Sequence, residues 1–264
     1  MNSKTPKLTV VGAGPGDPDL ITLKAIKALE SADVILYDAL INDELLKYAP
    51  KYSEKIFVGK RKGCYAYQQE QINELIVARA KSHGHVVRLK GGDPFIFGRG
   101  AEEIDYVKQF GIETYVVPGI SSMSAVPAYQ GIPLTKRGAS ESFWVITGTT
   151  KSHKLSNDVV LAAKSTATIV ILMGMGKLNQ IVDVFSSEGK QNTPIAIIQN
   201  GTTNEEKVGI GTIETISGIV KEKQLSSPAI IVIGEVVRER VRLDSISKEI
   251  VQNKKVATSS VIEM

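Results

Sequence analysis

Asp38 closes the apolar run "DVILYD", and Lys60 leads the basic cluster of "GKRKG" shortly after "KIFV". An acid and an amine at successive strand ends can face one substrate and divide a proton transfer between them, if burial tunes their basicity. A surface ion pair would use the same residue types. Arg61 and Lys62 add charge beside Lys60, and Arg99, Lys136 and Arg137 add more in later loops. Such cations suit the carboxylates of a polyanionic substrate, or they simply meet solvent.

The densest irregular stretch is "LKGGDPFIFGRG", residues 89–100, where a buried-looking strand ends in two glycines, an acid and a proline. Gly91 and Gly92 permit close approach of backbone to a ligand, and Asp93 offers an acceptor to a hydroxyl or an amine. A Walker phosphate loop is excluded, since no Gly-Lys-Ser/Thr follows. Three more runs end similarly: "VVPGISS" with Ser121 and Ser122, "ILMGMG" with Met173, and "IIQNGTT" with Gly201. Each alone is an ordinary turn signal; together they place glycine-bearing strand ends in both halves of the chain, as a ligand held by backbone groups requires.

The first turn, "LTVVGAGPGDPDL", resembles a dinucleotide fingerprint, with Asp38 at about the place of a ribose-binding acid. The spacing of Gly12, Gly14 and Gly16 is G-x-G-x-G, however. Pro15 and Pro18 remove donors, and Asp17 and Asp19 put negative charge where a pyrophosphate would lie. A NAD-dependent oxidoreductase stays open as the alternative from another class.

These residues need a frame of strands and helices. The 264-residue chain is 42% hydrophobic, enough for two ordinary domains or one large α/β unit. Strands are predicted at 8–11, 33–38, 55–58, 85–90 and 114–117, then at 142–147, 168–173, 194–199, 207–213 and 229–237. Helical patterns fall at 20–31, 68–82, 100–110, 120–130, 154–164 and 176–189. Their alternation predicts an α/β fold. The polar stretch "GIPLTKRGASES" predicts a boundary giving domains 1–136 and 137–243, and the polar segment 244–264 reads as a flexible tail. One cysteine and three scattered histidines exclude a disulfide framework and a zinc cluster. The net charge of +4, without a basic stripe, argues against nucleic acid, and no apolar run is long enough for a signal peptide core or a membrane span. A cytoplasmic protein is expected.

"VGAGPGDPDLITLKA", "DVILYD", "VGKR", "VVRLKGGDPFIFGRGAEE", "VVPGISS", "GIPLT", "MGM", "NGTT" and "SPAIIVIGEVV", in that order over residues 7–243, resemble the tetrapyrrole methylase superfamily. The likeness is greatest to the branch that methylates uroporphyrinogen III. It implies a two-domain α/β fold, each domain a mixed sheet flanked by helices with the active-site cleft between them, usually in a homodimer. It also implies S-adenosyl-L-methionine (SAM) as methyl donor and methylation at C-2 and C-7 to give precorrin-2. Carried over, the cofactor residues are Pro15, Gly91, Gly92, Asp93, Ile96, Ser121, Ser122, Met173, Gly201 and Ala229. Asp38 is the implied proton acceptor and Lys60 the proton donor; Arg61, Arg99, Lys136 and Arg137 are candidate contacts for the tetrapyrrole's carboxylates. Ser121 and Ser122 replace a commoner Thr-Ala pair, Ala39 follows Asp38 where many relatives have arginine, and Lys136 and Gly138 replace His and Asp. Other branches of the superfamily, acting on precorrins, diphthine or rRNA, remain the nearer alternatives.

Overall fold

The computed structural model describes residues 5–59 and 67–240. Lys60, Arg61, Lys62 and the expected tail therefore lie outside the described residues. The chain divides into two compact units, Met1–Ala125 and Val126–Met264. The first contains β1 (Lys7–Gly12), α1 (Leu23–Glu30), β2 (Val34–Tyr37), β3 (Glu54–Phe57), α2 (Gln69–His83), β4 (His85–Lys90), α3 (Gly100–Lys108) and β5 (Glu113–Val117); α4 (Ser122–Tyr129) leads out of it. The second contains β6 (Phe143–Thr147), α5 (Asn157–Lys164), β7 (Thr168–Leu172), α6 (Leu178–Ser187), β8 (Pro194–Gln199), β9 (Lys207–Thr212), α7 (Ile216–Glu222) and β10 (Ala229–Ile233).

Every predicted strand is present. The last is shorter than expected, because Gly234 turns out of the sheet at φ 145° and Glu235–Arg238 coils into a 3-10 turn. The sequence reading did not include α7: it is short, holds Gly218 and has no side-chain cap. The division falls inside α4, ahead of the polar stretch expected to hold the boundary. Val126 explains the shift, since it packs against the turn after β8 so closely that a Cβ on Gly201 would stand 2.4 Å from its Cγ1. Gln130 continues the attachment through Glu206 and Arg240.

In the first unit the strand order is β3-β2-β4-β1-β5, and all four pairings are parallel. The second sheet runs β6-β7-β10-β8-β9, with β6 and β7 parallel and the other pairs antiparallel. The mixing expected of both sheets is thus confined to the second. Parallel strands need crossovers, and helices on both faces explain why the first unit's strands read as continuous apolar runs. Leu8, Val10, Val34 and Leu36 pack with Ile72 and Ile76 of α2 and Ile104 and Val107 of α3. Val11, Ile35, Val87 and Leu89 point the other way, onto Ala25 and Leu29 of α1. In the second unit Ile169, Ile171, Ile195, Ile197 and Ile231 pack on Val159, Ile181, Phe185 and Ile216.

Three glycines close the carboxyl end of the first sheet. A Cβ on Gly12 would stand 2.5 Å from Gly119 Cα and 2.6 Å from Gly92 O, and one on Gly119 would stand 2.3 Å from Gly92 O. The obstructing atoms are all backbone, so no rotamer change relieves the clash. At the other end of the sheet, buried His85 joins three elements. Its backbone N–H donates to Asp33 Oδ2 at 2.9 Å, Nδ1 lies 2.9 Å from Ser31 O, and Nε2 lies 2.8 Å from Thr9 Oγ1. A carbonyl only accepts, so Nδ1 carries the proton and Nε2 accepts from the threonine hydroxyl. Burial lowers the imidazole's pKa below its ordinary 6.5, opposed by the Ser31 carbonyl.

Gly12→Ala or Gly119→Ala should lower unfolding free energy by about 1–3 kcal/mol. Gly176→Ala, where a Cβ meets nothing within 4 Å, should leave it unchanged in the same urea titration. His85 makes a second test. The unfolded chain binds its proton near 6.5 while the folded chain resists it, so the stability it supports is present above 6.5 and is lost as pH falls from there through the lower folded value. Urea midpoints of the wild type should therefore decline on acidification more steeply than those of His85→Gln.

Candidate active site at the strand ends

β1 and β4 are neighbours, yet the chain leaves β1 for α1 on one face of the sheet and leaves β4 for α3 on the other. Such a divergence opens a crevice at the carboxyl edge, the usual ligand position in open α/β sheets. Here the two loops are laced together: Gly14 N donates to Gly92 O at 3.2 Å and Gly92 N donates to Gly14 O at 2.7 Å. Asp93 ties in the third loop, its Oδ1 accepting from Phe95 N at 2.8 Å and its Oδ2 from Gly119 N at 3.1 Å. Gly92 adopts φ 66°, and a Cβ there would project to 3.8 Å from Ser122 N and 3.9 Å from Ser121 Cα. The missing side chain leaves that space to a ligand's atoms. Pro15 and Ile96 are half-buried, Ser121 is buried, and Phe97 and Arg99 are both left-handed, at φ 56° and 59°. Non-glycine residues in that region are uncommon and gather where a loop is held for function.

The same geometry disposes of the pyrophosphate reading. The amide of Gly14 is spent on Gly92, and α1 begins only at Leu23, capped by Thr22, whose Oγ1 accepts from Ala25 N at 3.1 Å. Among the described residues no α-helix begins within the glycine turn, and the short 3-10 turn Pro18–Leu20 that follows it is capped by Asp17. Asp17 instead accepts from Asp19 N within its own turn.

Asp38 lies at the carboxyl end of β2, its side chain 24% exposed, with Oδ1 accepting from Leu40 N at 3.2 Å. Its Oδ2 stands 3.5 Å from a terminal guanidinium nitrogen of Arg88. Arg88 and Lys90, 3% and 4% exposed, project from β4 beneath this edge. Their charges converge on Glu103 of α3, which has no exposed surface: Arg88 Nε and Lys90 Nζ lie 3.1 and 3.0 Å from its Oε1. Gln69 of α2 donates to the same oxygen at 3.2 Å. Burial pushes the Lys90 ammonium below its usual range, Arg88 adding to the effect and Glu103 opposing it. The exposed Arg99 pairs with Glu102 at 2.9 and 2.5 Å, which holds its guanidinium above the usual range.

In the second unit β10 runs antiparallel to β7 and β8, so its first residue, Ala229, lies at the end where those two strands finish. That brings Met173, Gly201 and Ala229 to one sheet edge. Met173 is exposed at φ 55°, its carbonyl accepting from Thr149 Oγ1 at 2.9 Å, and Asn200 and Thr202 flank Gly201 at φ 48° and 66°. Lys136 and Arg137 are not brought to this edge. Lys136 pairs with Ser140, whose hydroxyl accepts from Thr168 N at 3.0 Å at the start of β7, so both cations sit at the opposite end of that sheet. Lys136 forms an ion pair with Glu239 at 2.5 Å.

The Tetrapyrrole (Corrin/Porphyrin) Methylases match residues 7–217 of this chain. The chain belongs to that family. A "Uroporphyrinogen-III C-methyltransferase" of Methanocaldococcus jannaschii is 48% identical over 235 residues, covering 88% of this chain and 97% of that one. One of the same name from Priestia megaterium is 47% identical over 235 residues, covering 88% and 98%. Among solved structures, the uroporphyrin-III C-methyl transferase of Thermus thermophilus complexed with S-adenyl homocysteine superposes with a TM-score of 0.76 at 36% identity, covering 88% of this chain and 99% of that one.

In this tetrapyrrole methylase the sequence reading singled out Asp38 but missed the charges behind it. A signal was available. Arg88 and Lys90 are two apart, hence on one face of a strand that also carries the apolar Val86, Val87 and Leu89, and Glu103 takes the i+3 place in the buried stripe of Gly100, Ile104 and Val107. Among the described residues no group of three His, Cys, Asp or Glu could hold a metal, and no helix is long and apolar enough to cross a membrane.

Asp93→Ala should cost about 1–3 kcal/mol of stability, because two backbone amides lose their acceptor. Asp93→Asn keeps one acceptor oxygen and should lose less, as read by chemical denaturation.

Proposed function

We propose that this chain transfers methyl groups from SAM to C-2 and C-7 of uroporphyrinogen III, giving precorrin-2 and S-adenosyl-L-homocysteine. The observation that carries the reading is the near-full-length identity to two uroporphyrinogen-III C-methyltransferases. The S-adenyl homocysteine bound by the Thermus thermophilus relative supports the donor. Gly92 supplies the test of fit within this chain: its bare backbone beside Ser121 and Ser122 keeps the space a cofactor must occupy. The cofactor residues proposed are Pro15, Gly91, Gly92, Asp93, Ile96, Ser121 and Ser122 in the first unit, and Met173, Gly201 and Ala229 in the second.

SAM, when bound, supplies an electrophilic methyl on a sulfonium centre. The reduced pyrrole is an electron-rich, enamine-like carbon nucleophile, so the protein's work is alignment and proton handling rather than activation. Attack of that carbon on the methyl would form the new C–C bond as the S–CH3 bond breaks, its electron pair leaving on the sulfur of S-adenosyl-L-homocysteine, and the ring would then shed a proton. Asp38, fixed at the strand edge by the Leu40 amide and Arg88, takes that proton. Lys60 is proposed as the donor, and Arg61, Arg99, Lys136 and Arg137 as partners of the substrate's eight carboxylates. Arg99 is the most accessible of these in the first unit's described part, once it leaves Glu102. Lys136 and Arg137 stand at the opposite end of the second sheet from Met173 and Gly201. The reading extends to a homodimer working in the cytoplasm.

Incubation with uroporphyrinogen III and methyl-labelled SAM should yield a product carrying two labelled methyl groups by mass; a product with none would overturn the reading. Asp38→Ala should lower turnover by about 10²- to 10⁴-fold. Its SAM affinity by calorimetry should stay near that of the wild type, and an equal loss of both would remove the role assigned to Asp38.

A further inference from the structure

We propose that Glu103 is a positioning residue for methyl transfer: it holds Arg88 away from a close pairing with Asp38, and so leaves the Asp38 carboxylate able to accept a proton. The inference rests on the role proposed for Asp38. It starts from a cluster that stability alone explains poorly. Three donors crowd onto Glu103 Oε1, while the equally buried Oε2 has no hydrogen-bond partner among the described residues. Apolar side chains of similar volume would fill this space without taking charges out of water, and such replacements are often neutral or stabilising. The cluster's use is sought in what it does to its one half-exposed member.

Arg88 is committed in three directions. Its Nε points to Glu103 at 3.1 Å, one terminal nitrogen donates to the carbonyls of Leu36 and Leu89 at 3.3 and 3.0 Å, and only the other faces Asp38, at 3.5 Å. A guanidinium free to turn forms two parallel, shorter bonds to a carboxylate. An aspartate gripped in that way is a poor base, because the pairing favours its ionised form. Glu103 prevents the grip by taking Nε for itself. Lys90 balances Glu103 there: the two cations and two carboxylates carry equal and opposite formal charge. The other groups facing Glu103 are neutral Gln69 and, at longer range, Arg99.

Glu103→Gln alone leaves an uncompensated buried cation and endangers folding. The informative variant is Glu103→Gln with Lys90→Met, which removes one charge of each sign, compared with Lys90→Met alone. The double variant should fold and bind SAM with wild-type affinity by calorimetry. Its kcat should fall by about 10- to 100-fold relative to Lys90→Met. Activity that needs an ionised carboxylate disappears as pH falls, and a closer cation moves that loss downward. The acidic limb of the kcat profile should therefore shift to lower pH, a change that loosened packing does not produce. A double variant whose kcat and acidic limb match those of Lys90→Met overturns the inference. Asp38→Asn, assayed beside it, separates the two ideas: full turnover there removes the role of Asp38 itself, whereas an inactive Asp38→Asn beside an active double variant removes only that of Glu103.

Discussion

Backbone meets backbone where β4, β1 and β5 end, and that approach is possible only because Gly12 and Gly119, packed against each other and the Gly92 carbonyl, have no side chains. Everything at the edge of the first sheet depends on it. The loop after β1 can lie against the loop after β4, Gly14 and Gly92 can exchange amide bonds, and Asp93 can reach the amide of Gly119. A single methyl at the centre would force three strand ends apart, because no atom in the contact belongs to a flexible side chain. Gly148 and Gly174 repeat the device in the second unit, where a Cβ on Gly148 would stand 2.5 Å from Gly174 Cα.

Behind the edge lies a second constraint, of charge rather than volume. Arg88 and Lys90 enter the interior on a strand buried along its whole length, and Glu103 meets them from α3. Ions in such a place must sum to zero or give up their charge. Asp38 completes the balance while remaining partly exposed, so a half-buried carboxylate at the strand edge is joined electrostatically to the interior. Its chemistry cannot be separated from the packing of α2 and α3 against β4.

Much of this was legible in the sequence. Glycine-bounded runs of Val, Ile and Leu announced the strands, because a sheet covered on both faces needs continuous apolar segments. The glycine turn declared itself unfit for a pyrophosphate through its prolines, and the glycine-bearing loops were placed at strand ends, where the structure has them. What escaped was decided by neighbours distant in the chain. The polar stretch 131–142 marks an exposed segment but does not say which unit its flanks join; Val126 and Gln130 settle that through partners some 75 residues away, at Gly201 and Glu206. Lys136 and Arg137 looked like site cations because loop cations suit a polyanionic substrate, yet nothing local reveals which end of a sheet they occupy. α7 was hidden by its brevity and by Gly218. The Arg88, Lys90 and Glu103 cluster escaped for a different reason: its spacing is plain, but charged residues are ordinarily read as surface.

The paired amides of Gly14 and Gly92 carry one more implication. Loops that close on a ligand normally surrender conformational entropy when they do so, and binding is weaker by that amount. These two loops are already joined to one another and, through Asp93, to a third. Their freedom was given up when the sheet formed, so whatever binds against them meets a surface already ordered and keeps that part of its affinity.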